Sequence, residues 1–139
     1  VYTALIPNDS VVGSISAKTD VMSTSELRNF LLMHFVRGDI IFTDGNRQAG
    51  YYETARIDAS STPFTTINSF IKIIPGVDKI TIPAKSGSNY LVINESAKTN
   101  QITGRSVSTT GTEAYPNIVS TGVVHEIKNA LFYDQLDTK

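Results

Sequence analysis

The sequence predicts a single α+β domain, with one amphipathic helix in its first third and β-strands through most of the remainder. The chain has 139 residues, a length that fits one domain with a core of moderate size. Apolar residues make up 40% and charged residues 18%, which is the composition of a folded protein and not of a disordered one. Apolar residues recur once at helical spacing and several times at strand spacing, so the helix and the strands occupy different parts of the chain.

The charge distribution and the absence of cysteine argue against several functional classes. The net charge is −1, from 12 basic and 13 acidic residues that are spread along the chain. No run of Lys or Arg forms a basic stripe, so nucleic acid and anionic membrane surfaces are poor candidate partners. Without cysteine the chain has no disulfide, no thiolate metal site and no cysteine nucleophile. No segment has the roughly 18 consecutive apolar residues that span a bilayer.

The first nine residues predict a strand followed by a helix cap. The first residue is Val1 rather than Met, and residues 1–6 already have the character of a buried strand. We therefore expect that a preceding segment, with any targeting signal or anchor, has been removed. Pro7 ends this strand because it lacks a backbone donor, and Asn8 and Asp9 can cap a following helix. Residues 11–22 are expected to form one or two short helical turns.

A longer helix is predicted over residues 24–35. Ser23 and Glu26 have the spacing of a capping box, in which the Ser side chain accepts the backbone N–H three residues on. The apolar residues behind it recur at the spacing of one buried helix face: Leu27, Phe30, Leu31, His34 and Phe35. Gly38 is expected to stop the helix. The pattern predicts that His34 is buried and points into the core.

From residue 40 onward the pattern is that of strands, rich in β-branched and aromatic residues and bounded by Gly, Pro, Asn or Ser. The predicted strands are residues 40–42, 51–55, 69–74, 79–82 and 90–94. Residues 79–83 alternate polar and apolar, so this strand is expected to be half exposed. Residues 100–116 are expected to hold one strand around Val107 and mobile loops, and residues 119–131 are expected to return to the core.

The two histidines, His34 and His125, are the natural candidates for acid–base chemistry. Both lie in apolar patterns, which favours buried structural roles. They are far apart and lack His-x-x-x-His or His-Glu-x-x-His spacing, so no metal site and no cofactor are expected. The chain has no Gly-x-Ser-x-Gly motif, and the paired glycines of residues 45–50 lack the Lys of a phosphate loop. The sequence therefore predicts no catalytic residue.

Tyr51 and Tyr52 are candidate binding residues. In a strand their side chains face opposite sides, so one is expected in the core and the other on the surface. An exposed tyrosine can stack on a sugar or anchor a protein contact. Ordinary cross-strand packing is the commoner role for such a pair.

Three stretches, in order along the chain, resemble the signatures of fasciclin-like domains. Residues 2–9 resemble the first signature, an apolar strand that runs into Pro7, Asn8 and Asp9. Residues 30–38, with His34, resemble the middle signature, Leu-Leu-Tyr-His-Val-x-x-Gly. Residues 118–131, with Gly122 and His125, resemble the second signature, Asn-Gly-apolar-apolar-His-apolar-Ile-Asp. The three matches together span nearly the whole chain.

Four positions depart from the family pattern. Met33 stands where the family usually has Tyr, and Thr121 where it has Asn. Glu126 replaces an apolar residue, and Lys128 replaces Asp. Members that bind animal integrins are thought to use the Tyr-His region, so Met33 argues against that activity here. The helices that normally precede the first signature are also missing.

The resemblance implies a wedge of two small β-sheets with a few packed helices, formed by residues 1–139 as one fasciclin-like domain without its leading helices. It implies a non-catalytic adhesion module outside the cell or at its surface, or a periplasmic or outer-membrane lipoprotein if the source is bacterial. Its partners would be a surface protein, a polysaccharide or another copy of itself. Membrane attachment would come only through a removed N-terminal anchor. The motif residues Pro7, Asn8, Asp9, His34, Gly122 and His125 would have structural roles.

Two other interpretations stay open at this stage. The chain could be a cell-surface hydrolase with His34 or His125 as general base, which single His→Ala variants would separate from a structural role. It could also be a purely structural domain of a longer surface protein. If leading helices are missing, an apolar face is expected to be exposed and to favour self-association or a separate covering segment, unless residues 56–66 cover it.

Overall fold

The eight strands of the described residues join into one continuous sheet. The computed structural model describes residues 1–94, 103–110 and 117–139, with side-chain surroundings for residues 1–94 and 122–139. The strands are β1 (Tyr2–Pro7), β2 (Phe35–Arg37), β3 (Gly50–Ile57), β4 (Asn68–Gly76), β5 (Lys79–Pro83), β6 (Asn89–Asn94), β7 (Thr103–Thr110) and β8 (Asn117–Ile127). They lie in the order β6-β5-β4-β3-β2-β1-β8-β7. Three short helices separate β1 from β2: α1 (Asp9–Ser14), α2 (Ser16–Thr19) and α3 (Thr24–Leu32).

The expected α+β wedge of two small sheets with packed helices is wrong. The protein is mostly β, and its sheet is nearly closed, like a barrel. The physical reason is β2, a segment that the sequence assigns to the end of a helix and the turn after it. The strand pairs with β1 on one side and, through Val36 and Thr54, with β3 on the other. Because β2 is extended, it joins the two groups of strands into a single sheet.

β1 has a paired strand on each side. It pairs in parallel with β8 over its whole length, from Tyr2 opposite Gly122 to Pro7 opposite Ile127. On its other side it pairs antiparallel with β2. The motifs at the two ends of the chain are therefore neighbours in space, and a parallel pair of this kind needs the long connection that the intervening residues supply.

Side-chain caps set the starts of two helices where the sequence predicts them. The Asn8 Oδ1 atom accepts the Val11 N–H at 2.9 Å and begins α1. The Ser23 Oγ atom accepts the Glu26 N–H at 3.1 Å and begins α3. α3 ends at Leu32, however, and not at residue 35 as predicted. Backbone pairing of residues 35–37 with two strands outweighs the helical periodicity that Phe35 continues.

The core lies on the inner side of the sheet, and its residues come from most of the strands and from the segments that follow α3, β2 and β8. Alternate apolar residues of β4, β5 and β6 point into it, and the segment after β8 returns to it. The buried cluster consists of Leu5, Met33, Val36, Ile41, Ile71, Ile73, Ile80, Ile82, Leu91, Ile93, Ile127, Leu131 and Leu136. Each large side chain buried in this way contributes about 1.5–3 kcal/mol to folding.

Two strand expectations are wrong in detail. Residues 40–42 form no strand; they are an irregular segment that hydrogen bonds of the Thr3 side chain hold beside β1. β5 is buried rather than half exposed, since Thr81 is buried together with its apolar neighbours Ile80 and Ile82. The C-terminal residues 135–137 hydrogen bond to residues 83 and 85 and cover that end of the strand.

Gly122 allows β8 to approach β1 closely. A Cβ atom at this position would lie 2.8 Å from the Tyr2 carbonyl oxygen, a backbone atom that belongs to the paired strand. Gly122→Ala is therefore expected to lower the free energy of unfolding by about 1–2 kcal/mol, because the two strands must move apart. Urea denaturation measures the loss, with Gly13→Ala as the control since a Cβ there meets nothing within 4 Å. Equal stabilities of the two variants would contradict the prediction.

Candidate interaction surface

His34 is a buried structural residue between α3 and the segment after β8. It is 3% exposed and follows the last turn of α3. Its Nδ1 atom lies 2.9 Å from the Phe30 carbonyl oxygen, and its Nε2 atom accepts the Leu131 N–H at 2.9 Å. A carbonyl only accepts and an amide N–H only donates, so the ring is neutral with its proton on Nδ1. Burial lowers the pKa of His34 from 6.5 to about 4, although its backbone hydrogen bonds oppose the shift.

His125 is fully buried in β8. Its Nε2 atom lies 2.8 Å from the Ile41 carbonyl oxygen, to which it donates. This bond holds the irregular segment after β2 against the sheet. Both histidines flank Leu5 of β1, because the Leu5 N–H bonds to the His34 carbonyl oxygen and Leu5 pairs with His125. Both ring nitrogens of His34 and the Nε2 atom of His125 are hydrogen bonded to backbone groups.

The other motif residues lie where β1 leads into α1. Pro7 is the last residue of β1, Asn8 is the cap of α1, and Asp9 is the exposed first residue of that helix. The Asn8 N–H also bonds to the Ile127 carbonyl oxygen at 3.1 Å. In the part of the chain that the structure describes, no group of three His, Asp or Glu side chains could hold a metal ion.

Tyr51 and Tyr52 face opposite sides of β3. The Tyr52 ring packs against the core cluster, and its hydroxyl donates to the Gln48 carbonyl oxygen. Tyr51 is exposed, and its hydroxyl donates to Asp137 Oδ1 at 2.7 Å, which raises the pKa of Tyr51. The ammonium groups of Lys72 and Lys139 lie 5.8 and 5.9 Å from its ring centroid. The hydroxyl and ring of Tyr51 are therefore occupied by neighbours in its own chain, and a role in sugar binding stays a prediction.

The apolar face of α3 is not buried. No residue of this helix is buried, and Leu27 and Leu31, which the sequence places in the core, are exposed. They form one wall of a groove of about 450 Å³ that runs between α1, α3 and the end of β1, here called the α1–α3 groove. Ile6 and Val12 contribute exposed apolar atoms to the opposite wall.

A second apolar hollow adjoins the α1–α3 groove, and Phe35 lines both. This Tyr2 hollow has a volume of about 600 Å³ and is formed by Val1, Tyr2, Ala4, Leu32, Gly122 and Val124, among others. Six of the thirteen exposed large apolar side chains in the described residues line one of the two hollows. Scattered apolar residues are normal on a surface, but such a concentration on one face is typical of an interaction site.

The sequence analysis does not identify Phe64, which has the most exposed of the large apolar side chains in the described residues. The residue is 97% exposed, in the loop between β3 and β4. The loop is held by its own hydrogen bonds, including a reciprocal backbone pair between Thr62 and Thr65. A local signal was available, because this aromatic residue stands alone in a run of Ser, Thr and Pro. Since Phe64 makes so few contacts, it covers neither hollow of its own chain.

No helix in the described ranges is long and apolar enough to cross a bilayer. Comparisons of the chain with protein-family models, with curated proteins and with solved structures find no significant match.

Proposed function

We propose that this chain is a non-catalytic interaction module of the fasciclin-like type, displayed outside the cell or at its surface. The family assignment rests on the three ordered motifs and not on the fold class, which differs from the expectation. The observation that carries the proposed function is the open apolar face of the α1–α3 groove and the Tyr2 hollow. The partner is a surface protein, a polysaccharide or another copy of the chain.

The size and shape of this face support binding rather than chance exposure. The two hollows have the volumes of ordinary binding pockets and adjoin at Phe35. Helix caps fix the walls of the α1–α3 groove, through Asn8 at the start of α1 and Ser23 at the start of α3. A surface held in place before binding loses less entropy when a partner arrives.

The surroundings of the histidines support a structural role for both. A general base must present a free nitrogen to its substrate. The two ring nitrogens of His34 are bonded to the backbone of Phe30 and Leu131, and the Nε2 atom of His125 is bonded to the backbone of Ile41. We therefore retain the interaction module ahead of the hydrolase.

The test is retention of the purified chain on an array of immobilised matrix proteins and polysaccharides, with the chain itself as one of the immobilised proteins. Leu27→Gln/Leu31→Gln is expected to lower retention by about tenfold or more, because both side chains line the groove. Val21→Gln/Val77→Gln is the matched control, since both valines are exposed and lie outside the two hollows. Retention that the groove variant does not change would reject this surface as the site.

The proposed location needs a separate measurement. Antibodies against the chain should label intact source cells or detect the chain in the culture medium. Labelling only after the cells are permeabilised would reject a surface or extracellular role.

A further inference from the structure

We infer that a second copy of this chain occupies the α1–α3 groove, by inserting Phe64 into it. The inference rests on the proposed function, because it names the partner of the same surface. One chain carries both a projecting aromatic side chain and an apolar groove, on different elements. Each copy can therefore give Phe64 to one neighbour and receive it from another.

Hydrogen bonds within the loop that carries Phe64 fix its conformation before any partner binds. The Thr62 N–H bonds to the Thr65 carbonyl oxygen at 2.9 Å, and the Thr65 N–H bonds back to the Thr62 carbonyl oxygen at 3.3 Å. At the base of the loop, Ser61 Oγ donates to the Ile67 carbonyl oxygen and accepts the Ile67 N–H, both at 2.9 Å. An aromatic residue on a loop held in this way gains contact area with little loss of conformational freedom.

The chemistry of the groove matches the chemistry of the loop. The groove is apolar, with exposed atoms of Ile6, Val12, Leu27 and Leu31 on its two walls. Residues 59–67 carry no charge, so the loop approaches the groove without burying an unpaired charge. Asp58 at its base is already paired with Arg56, at 3.6 Å.

The same features disfavour a lipid surface as the occupant. Anchoring at a membrane surface generally combines several apolar side chains with basic residues that attract anionic lipid. Residues 57–71 contain neither Lys nor Arg, and Phe64 is the one aromatic residue at the tip of the loop. A single aromatic residue fits a pocket better than a bilayer.

The contact joins two unlike surfaces, the Phe64 loop of one copy and the α1–α3 groove of the other, and it is heterologous unless a twofold rotation makes it reciprocal. Heterologous contacts produce open chains unless the rotation between copies closes a ring. One loop in one groove is a small interface, so we expect dissociation constants of about 10 µM to 1 mM. Anchoring many copies to a surface would raise the apparent strength of this contact through multivalency.

The experiment is sedimentation equilibrium of the purified chain between about 10 µM and 1 mM, the range expected for this interface. The average molecular mass of the wild type should rise with concentration. Phe64→Ser removes the anchor, and Leu31→Lys places a charge in the groove. Each of these two variants should stay monomeric. Val21→Ser is the matched control, since Val21 is 83% exposed and outside both features. It should associate like the wild type. Circular dichroism and thermal unfolding confirm that each variant is folded.

The decisive measurement is sedimentation equilibrium of a mixture of the two monomeric variants. Phe64→Ser keeps its groove and Leu31→Lys keeps its anchor, so the mixture should form a one-to-one dimer and nothing larger. A mixture that stays monomeric, or a Phe64→Ser chain that still associates, overturns the inference. Phe64-dependent sedimentation with neutral phosphatidylcholine vesicles also overturns it, in favour of a lipid surface.

A wild-type chain that stays monomeric at 1 mM overturns only the self-association. Retention of this monomer on the array, lost in Leu27→Gln/Leu31→Gln, would leave the proposed interaction surface standing with a different partner. If the chain neither self-associates nor shows groove-dependent retention on the array, the surface itself is rejected as an interaction site.

Discussion

Acidification from pH 7 to pH 4 is expected to destabilise the folded chain by about 3 kcal/mol through His34 alone. The pKa of this residue falls from 6.5 to about 4 in the folded chain, because burial disfavours the charged imidazolium. The fold therefore favours neutral His34. Its contribution is fully present above pH 6.5 and is lost as the pH falls towards 4, where the unfolded chain binds a proton that the folded chain resists.

The measurement is the free energy of unfolding in urea at several pH values between 7.5 and 4, for the wild type and for His34→Gln. The Gln side chain does not titrate and can still accept the Leu131 N–H that His34 Nε2 accepts in the wild type. The variant should be less stable at pH 7.5, and the two curves should converge below pH 6.5. Other titrating groups are common to both chains and cancel in the difference. Parallel curves down to pH 4 would show that His34 does not carry the effect.

Thr3→Val is expected to lower the free energy of unfolding by about 2–3 kcal/mol, although Val has nearly the same shape as Thr. The Thr3 side chain is buried, and its Oγ1 atom accepts the Ile41 N–H at 2.8 Å while it donates to the Asp39 carbonyl oxygen at 2.9 Å. These two bonds hold the irregular segment after β2 beside β1. Valine leaves the buried Ile41 N–H without an acceptor.

Thr3→Ser separates the hydroxyl from the packing, because it keeps the oxygen and loses one buried methyl group at a cost of about 1 kcal/mol. Urea denaturation should therefore rank the wild type above Ser and Ser above Val. Amide hydrogen exchange of Ile41 should accelerate in the Val variant and not in the Ser variant. A Val variant as stable as the Ser variant would mean that another group satisfies the Ile41 N–H.

Local patterns predicted the elements whose causes are local. Asn8 and Ser23 cap their helices as the sequence indicates, since a side-chain oxygen needs only the next turn of backbone to act. The strands around residues 51–55, 69–74 and 90–94 are also confirmed, because β-branched and aromatic residues fill them and turn residues bound them. The strand predicted around Val107 is confirmed as β7, and the loops predicted within residues 100–102 and 111–116 lie outside the described residues.

Much of the candidate site could not be predicted in the same way. The helical spacing of Leu27 and Leu31 identifies an apolar face but does not say what covers it. In the structure, the sheet supports one side of α3 and leaves these two leucines in an open groove. Phe64 gave a local signal in its polar run, but its exposure depends on where the β3–β4 loop points.

The sequence by itself determined the starts of α1 and α3, most of the strands and the apolar positions of both histidines, because each depends on neighbouring residues. Only the tertiary structure decided that Phe35–Arg37 is a strand and that all strands join in one sheet. Phe35 continues the helical periodicity of α3, yet the backbone of this short segment pairs with both β1 and β3. The free energy of pairing with these two strands comes from residues that are distant in the sequence. Periodicity within a few residues therefore cannot predict it.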